Sequence, residues 1–296
     1  MLAQQLLNGI VVGGVYAIFA VGLTLVFGVH KILNLAHGGI FMAGAFVAVF
    51  AVRADVPFVL ALLLAAVFGG LLSVLIEFVA FRPLRRHNEQ EFGAIVSSIG
   101  ANLVIVTVAQ QLSQTQVMRF PFDTFPIVVF HVFDLRVSLL QLFITGSAAV
   151  LVIALTAYLY GSSFGREVRA VAGNPRAALL AGINPEMVYF QTFFLAGALA
   201  AAAGVLVGLA FNSIHFLMGE PYLLRGFIVV ILGGLGSISG ALIAGLLFGL
   251  LQTLTTAYLP TQLGDTVVFS MLFLILLLCP SGLLGREPVG SFRTAR

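Results

Sequence analysis

Charged side chains are scarce in this sequence of 296 residues, since Asp, Glu, Lys and Arg together make up only 8% of it. A soluble globular domain carries roughly a quarter of its residues as charged ones. Hydrophobic residues instead reach 60%, and the mean hydropathy is +1.13. The composition excludes a soluble globular domain and predicts an integral membrane protein.

Cysteine and catalytic motifs are also lacking. The single cysteine, Cys279, lies deep in an apolar run, which excludes intramolecular disulfides and a cysteine metal site. No HExxH, GxSxG or Ser-His-Asp spacing occurs, so nothing favours an active site. The phosphate-binding pattern GxxxxGK[ST] is missing as well, and ATP hydrolysis, if any, must be done by another subunit. We predict no catalytic residue, no metal and no cofactor bound by this chain.

Long apolar runs predict an all-α membrane protein with a single transmembrane domain over 1–296. We expect full spans over 6–29, 57–81, 93–111, 137–160, 185–211, 237–258 and 262–280. Two other apolar segments, 38–52 and 223–236, are too short for a comfortable crossing. Counting both as crossings gives nine transmembrane helices, and counting them as partial leaves about eight. The first span has no basic n-region or cleavage site before it, so we expect it to be retained.

The basic residues predict how the chain is oriented. One group of loops holds Lys31 and nine arginines, namely Arg82, Arg85, Arg86, Arg166, Arg169, Arg176, Arg286, Arg293 and Arg296. The other side holds Arg53, Arg119, Arg136 and Arg225. By the positive-inside rule the larger group is cytoplasmic. The net charge of +3 therefore reflects membrane orientation, and no nucleic-acid partner is expected.

The polar loop at 161–186 has the start and stop signals of one short helix. Asn174 is suited to cap a helix that Pro175 begins, and Gly182 can take the left-handed conformation that ends it. A helix of about two turns is not stable by itself in water, so something must pack against it. From these residues alone, a docking element for a soluble partner and a helix lying flat on lipid are equally open.

Several short motifs along the chain form a recognisable set. They are Gly165-Arg166 with Arg169, Asn174 and Gly182-Ile183-Asn184 in the loop; Asn8-Gly9, Gly13-Gly14 and Tyr16-Ala17 in the first span; Leu33 to Gly38; and Gly233-Gly234, Gly236-Ser237 and Gly240. This set resembles the permease subunits of ABC transporters for branched-chain amino acids. The resemblance extends over essentially the whole chain, and its motifs are more specific to the family than to the substrate.

The resemblance implies a location and a set of partners. We expect a multi-pass protein of the bacterial cell (inner) membrane that works with cytoplasmic ATP-binding subunits, which use the ATP. A second homologous permease subunit, in a homodimer or heterodimer, and an extracytoplasmic substrate-binding protein are also implied. The loop is similar to the element that couples such permeases to the ATPase. The residues expected to do so here are Gly165, Arg166, Arg169, Asn174, Pro175, Arg176, Leu179 and Gly182.

Two glycine-rich breaks beside the short segments mark a candidate translocation path. Its residues are Asn34, His37, Gly38 and Gly39 in the first half of the chain and Gly233, Gly234 and Gly236 in the second. Paired interruptions point to a midplane site because unwound backbone is tolerated in a membrane only where it lines a cavity or is packed by protein. Small-xxx-small patterns such as Gly236 with Gly240 and Gly245 with Gly249 favour close helix packing instead. Both interpretations stay open.

Few ionisable residues fall inside the predicted spans. Glu77 lies one turn from the cytoplasmic end of its helix, where Arg82 is within reach, so we expect a structural pair rather than a proton relay. His37 is expected to be a hydrogen-bonded packing residue. His215, Glu220 and Arg225 are expected at a solvated outer turn.

The stretch between 112 and 138 is outside the predicted spans but rich in phenylalanine. Its two Phe-Pro pairs and the alternation of Val128, Phe130 and Val132 predict a short extended or hairpin piece. Contact with an extracytoplasmic binding protein and anchoring at the membrane interface are equally open.

Two functional classes follow from these observations. The first is the permease subunit of an ATP-driven importer of amino acids, with branched-chain ones favoured and urea, amides or other small amino acids as alternatives. The second is a self-sufficient secondary transporter or channel, which should show intramembrane carboxylates or a polar ion path. The scarcity of both favours the importer.

Overall fold

A computed structural model describes residues 2–86, 90–132 and 135–260, together with 266, 268–270, 273–275, 277, 279 and 281–285. Its helices are α1 (Leu2–His30), α2 (His37–Arg53), α3 (Phe58–Ile76), α4 (Arg82–Arg86), α5 (Gln90–Ser113), α6 (Leu139–Gly161), α7 (Ser163–Gly173), α8 (Pro175–Leu180), α9 (Pro185–Phe211), α10 (Gly219–Gly233) and α11 (Ile238–Tyr258). A π-helical turn, Glu77–Phe81, joins α3 to α4. The predicted span at 262–280 lies largely outside the described residues.

Six helices in the described part are long and apolar enough to cross a membrane. Of these, α1 and α9 form the centre, since 78% of the most apolar stretch of each is buried, against 17% in α5. A helix that is apolar on every side must be covered by other apolar groups, and α1 is covered by α6, α9, α10 and α11. The prediction of a helical, multi-pass membrane protein is confirmed.

Glycines bring α1 and α11 into close contact. A Cβ atom on Gly13 would lie 2.9 Å from the Cα of Leu246, and one on Gly245 would lie 2.6 Å from the Cα of Ala17. Side chains in these places would force the two backbones apart, so only small residues permit the contact. The predicted packing role of Gly245 and Gly249 is confirmed.

The short helices α2 and α10 both begin at mid-depth. The ring of His37, the first residue of α2, packs against Phe19 in the middle of α1 with ring centroids 4.8 Å apart. Residues 31–36 therefore return along α1 before α2 starts. The first residue of α10, Gly219, packs against the backbone of Gly38, the second residue of α2, so α10 starts at the same depth. These are the two short, interrupted segments that the sequence predicts.

The two ends of the helix bundle differ in charge. One end contains the last turn of α1, the loop between α6 and α9, and helix α4 with its arginines. At this end Arg82 pairs with Glu186 at 2.6 Å. At the other end Arg53 donates to the carbonyl of Arg119 at 3.2 Å, and the side chain of Gln4 donates to the carbonyl of Arg136 at 2.9 Å. Among the described residues this separation agrees with the predicted grouping of basic residues, apart from one arginine, whereas Arg286, Arg293 and Arg296 lie outside the described residues.

Arg225 is the exception. The sequence predicts it in a solvated outer turn, but it lies within α10 and its guanidinium donates to the hydroxyl of Tyr16 at 3.2 Å.

The expected partner of Glu77 is also wrong. Glu77 does form a structural pair, but with Arg85 at 2.6 Å rather than with Arg82.

The outer segment contains the predicted hairpin. Strands β1 (Val129–Val132) and β2 (Leu135–Ser138) pair antiparallel, with Phe130 opposite Val137. Ser138 then caps α6 by accepting a hydrogen bond from the backbone of Gln141.

Candidate coupling and translocation sites

The loop between α6 and α9 contains two helices, so the prediction of a single short one is wrong. The additional helix, α7, is capped by Ser162, whose hydroxyl accepts from the backbone N–H of Gly165 at 3.2 Å. Its apolar residues Phe164, Val168 and Val171 recur at helical spacing and are buried. That spacing is the sequence signal of an amphipathic helix, which the polar composition of the loop conceals.

Helix α8 has the predicted start and stop. The side-chain oxygen of Asn174 accepts from the backbone N–H groups of Arg176 and Ala177 at 3.0 and 3.1 Å, and Pro175 occupies the first turn. Gly182 ends the helix with φ +84°. The backbone N–H of Gly182 donates to the carbonyl of Leu179, and the N–H of Ile183 donates to the carbonyl of Ala178, both at 3.0 Å. These two hydrogen bonds are the pattern of a Schellman motif.

The surface of α8 is unusual because it exposes apolar side chains. Leu179 is 60% exposed and Leu180 is 90% exposed, whereas Ala178 is buried. Leu180 is not among the predicted coupling residues, although its exposure exceeds that of Leu179. Six residues are too few for a helix to be stable alone, so the caps and the packing of Ala178 hold these leucines in place.

The corner between α6 and α7 depends on two of the predicted coupling residues. A Cβ on Gly165 would overlap the carbonyl group of Leu159, so the chain can reverse here only with glycine. Arg169 donates to the same carbonyl at 2.9 Å, and its guanidinium lies 6.0 Å from the ring centroid of Tyr160. These two residues shape the loop, and Arg169 is exposed like Arg166 and Arg176.

A cavity of about 440 Å³ lies where this corner meets α1 and the turn between α10 and α11. Its lining includes Lys31, Gly165, Arg169 and Gly236. The predicted coupling and translocation residues therefore meet at the arginine-rich end of the bundle, through Gly165, Arg169 and Gly236.

The glycines of the first break lie at the start of α2. A Cβ on Gly38 would lie 2.9 Å from the carbonyl oxygen of Gly219, and one on Gly39 would lie 2.6 Å from the side-chain oxygen of Asn102. The contact between Gly38 and Gly219, which we call the α2–α10 junction, joins the N-terminal ends of the two short helices. The cleft beside it measures about 10 Å³, which is room for about one water molecule, and Glu220 also lines it.

Two polar residues precede this contact. Asn34 is 1% exposed, and its side-chain oxygen accepts from the backbone N–H of Ala36 at 3.0 Å, which shapes the turn before α2. His37 is fully buried, as expected of a packing residue, but the hydrogen bond that the prediction included is not found in the described part of the chain. Within the described residues its ring nitrogens make no hydrogen bond of good geometry.

The glycines of the second break do not join those of the first. Gly233 packs against the backbone of Gly240, while Gly234 and Gly236 have φ values of +98° and +85° in the turn after α10. This turn lies at the arginine-rich end of the bundle, beside the last turn of α1, because a Cβ on Gly236 would lie 3.5 Å from the Cα of Gly28. The partner of Gly38 is Gly219, which sequence reasoning missed.

Comparison with known proteins identifies the family. Residues 5–279 match the model of the family described as branched-chain amino acid transport system / permease component. The chain is 35% identical to the high-affinity branched-chain amino acid transport system permease protein LivH of Escherichia coli (strain K12), over 97% of this chain and 96% of that protein. It is 32% identical, with the same coverage, to the corresponding permease protein BraD of Pseudomonas aeruginosa.

Among solved structures, a chain of PsaBC from Streptococcus pneumoniae in complex with Fab matches with a TM-score of 0.49 and 13% identity, over 91% of this chain and 90% of that one. This likeness is too weak to support a conclusion. The family model covers nearly the whole chain, and the relatives match it from end to end. The chain therefore belongs to the permease-component family of branched-chain amino acid transport systems.

Proposed function

We propose that the chain is the transmembrane permease subunit of an ATP-driven importer of branched-chain amino acids in a bacterial inner membrane. The names of its relatives support this substrate class. The chain lacks a phosphate-binding loop, so ATP is hydrolysed by separate cytoplasmic subunits, and the chain itself is not an enzyme. A substrate-binding protein delivers the amino acid from the outer side.

Helix α8 is the docking element for the ATP-binding subunit. The observation that carries this assignment is the pair of exposed leucines, Leu179 and Leu180, on a helix fixed by caps at both ends. An apolar groove on the partner would bury both side chains, while Arg166 and Arg176 lie exposed nearby for acidic groups at its rim.

The α2–α10 junction borders the translocation path and closes it in this structure. Glu220 is exposed beside the cleft at mid-depth, and Asn102 lies near the middle of α5. A carboxylate that faced hydrocarbon at this depth would be costly, so Glu220 faces a polar path or protein. A second permease subunit, identical or homologous, supplies that covering surface next to the sparsely covered α5.

Reconstitution tests this function. Liposomes that contain the chain with its ATP-binding and partner permease subunits, enclosed ATP and external binding protein should accumulate labelled leucine. Valine and isoleucine should compete, whereas urea and acetamide should not. Replacement of Glu220 by Gln should lower uptake without loss of the ATP-binding subunit. Gradient-driven leucine uptake by the chain alone would instead identify a secondary transporter.

A further inference from the structure

Four charged side chains at the cytoplasmic end connect three helices. Arg85, in α4, pairs with Glu77 at 2.6 Å and approaches the ring nitrogen Nδ1 of His30, the last residue of α1, at 3.5 Å. Arg82 pairs with Glu186, in the first turn of α9, at 2.6 Å. The segment from Glu77 to Arg85 is thus tied to α1 on one side and to α9 on the other.

The burial of the pair between Arg85 and Glu77 argues against a role in stability alone, whereas Arg82 and Glu186 are 28% and 43% exposed. The side chain of Glu77 is fully buried and that of Arg85 is 16% exposed. Well-packed apolar residues usually stabilise a protein as well as a buried ion pair does, whereas removal of one partner is strongly destabilising. The retained charges therefore specify one particular arrangement of the helices.

Aromatic rings hold the two guanidinium groups in place. That of Arg85 lies 4.4 Å from the ring centroid of Tyr189, and that of Arg82 lies 5.2 Å from Phe78 and 5.7 Å from Phe190. Tyr189 and Phe190 belong to the same first turns of α9 as Glu186. Arg82 is therefore fixed to α9 by a ring as well as by charge, and Arg85 is fixed to α9 by a ring.

The π-helical turn Glu77–Phe81 lies within this region of the chain. A π turn inserts one extra residue and so changes the direction in which the following side chains point. Glu77 is the first residue of this turn, and Arg82 and Arg85 follow it. One continuous helical segment can therefore hold the buried carboxylate of Glu77 and still direct both arginine side chains toward α9. Turns of this kind occur often at functional sites.

Only a short connection separates this network from α8. Gly182 ends α8, and Asn184 caps α9 by accepting from the backbone N–H of Glu186 at 3.0 Å. A displacement of α8 therefore reaches Glu186 without a flexible linker between them. From Glu186 it passes to Arg82, and through Arg85 it passes to the inner end of α1.

We propose that Glu77, Arg82, Arg85 and Glu186 are positioning residues that transmit movement of α8 to α1 and α3, and so couple ATP hydrolysis to opening of the path. This inference rests on the proposed docking role of α8. None of the four residues touches the ATP-binding subunit in this account. Their loss should therefore uncouple hydrolysis from transport while the subunits remain assembled.

A charge-reversal cycle in the complete transporter tests the link. Arg82→Glu and Glu186→Arg, each alone, should keep the ATP-binding subunit and basal hydrolysis but lower leucine uptake per ATP by at least tenfold. The double variant restores opposite charges at the same two positions and should return this ratio to within about threefold of wild type. Arg53→Glu, at the outer end, is the matched control and should leave the ratio unchanged.

The outcomes separate the link from the importer assignment. If the wild type takes up leucine normally but the double variant is no better than the single ones, the link is rejected and the importer assignment is kept. Single variants that lose thermal stability but keep the wild-type uptake per ATP would assign the pair a purely structural role and also reject it. Absence of ATP-dependent uptake by the wild type would reject the importer assignment, and the link with it.

Discussion

Helix α8 and the α2–α10 junction both interrupt the long helices of the chain, and they are built in opposite ways. Helix α8 is defined locally, by the side chain of Asn174 at its start and by Gly182 at its end. In contrast, α2 and α10 start after Ala36 and Met218, whose side chains are not capping groups. Contact between distant glycines holds the junction instead. The first element is fixed by its own residues, and the second can change only if its neighbours move.

The largest effect is expected at the junction. A Cβ on Gly219 would overlap the backbone of Gly38, so Gly219→Leu should separate α2 from α10. Overpacking of a core costs about 1–3 kcal/mol, and a clash with backbone lies at the upper end of that range or above it. We expect loss of folded protein in detergent, measured by thermal unfolding. Gly146→Leu is the control, because a Cβ there meets nothing within 4 Å. Equal melting temperatures for both variants would contradict the tight junction.

The second effect separates surface docking from folding. Leu180→Asp should leave the fold intact, because this side chain is 90% exposed. Burial of a leucine is worth about 1.5–3 kcal/mol, so its loss should weaken association with the ATP-binding subunit by about 10- to 100-fold. Ile127→Asp provides the control, since Ile127 is 89% exposed but lies in the outer segment. Co-purification at graded concentrations measures the difference, and equal retention in both variants would remove α8 as the docking element.

A smaller effect is expected at the end of α8. Gly182 has φ +84°, so Gly182→Val places a β-branched side chain in a left-handed conformation at a cost of about 1 kcal/mol or more. Uptake per ATP should fall several-fold. The control is Gly173→Val, which should have little effect. A Cβ on Gly173 meets nothing within 4 Å, and this glycine does not have a positive φ. The idea of a rigid end to α8 fails if the two variants behave alike in the liposome assay.

The smallest effect is expected at the start of α8. Asn174→Ala removes two capping hydrogen bonds and should destabilise the helix by about 1 kcal/mol. Asn174→Asp keeps an acceptor and should resemble wild type. Uptake per ATP measures both variants, and an aspartate variant as impaired as the alanine one would show that the cap is not what matters.

The same contrast explains what the sequence can predict. The bounds of α9 and the caps of α8 follow from Asn-Pro pairs and a glycine, which act within a few residues of where they stand. The start of α10 is missed by four residues because Glu220 and Pro221 are typical of a turn. Proline is tolerated in the first turn of a helix, where its missing N–H has no partner to lose, and so it marks a start as well as a break.

Contacts between distant segments are beyond such reasoning. Gly38 has the same sequence signal as many other glycines in the chain, and nothing local selects Gly219 as its partner. Arg82 and Glu186 are 104 positions apart, so their pairing depends on how α3 packs against α9. The loop between α6 and α9 was therefore predictable in its ends and in part of its surface, whereas the residues that connect it to the long helices were not.

Site-specific photocrosslinking at Leu180 tests the docking of α8 most directly. A photoreactive amino acid at position 180 of the assembled transporter should crosslink to the ATP-binding subunit, because the exposed side chain there is predicted to lie in its groove. The same group at Val150, which is 66% exposed on α6, should react with lipid only. Crosslinking of position 180 to lipid, with none to the ATP-binding subunit, would contradict the account.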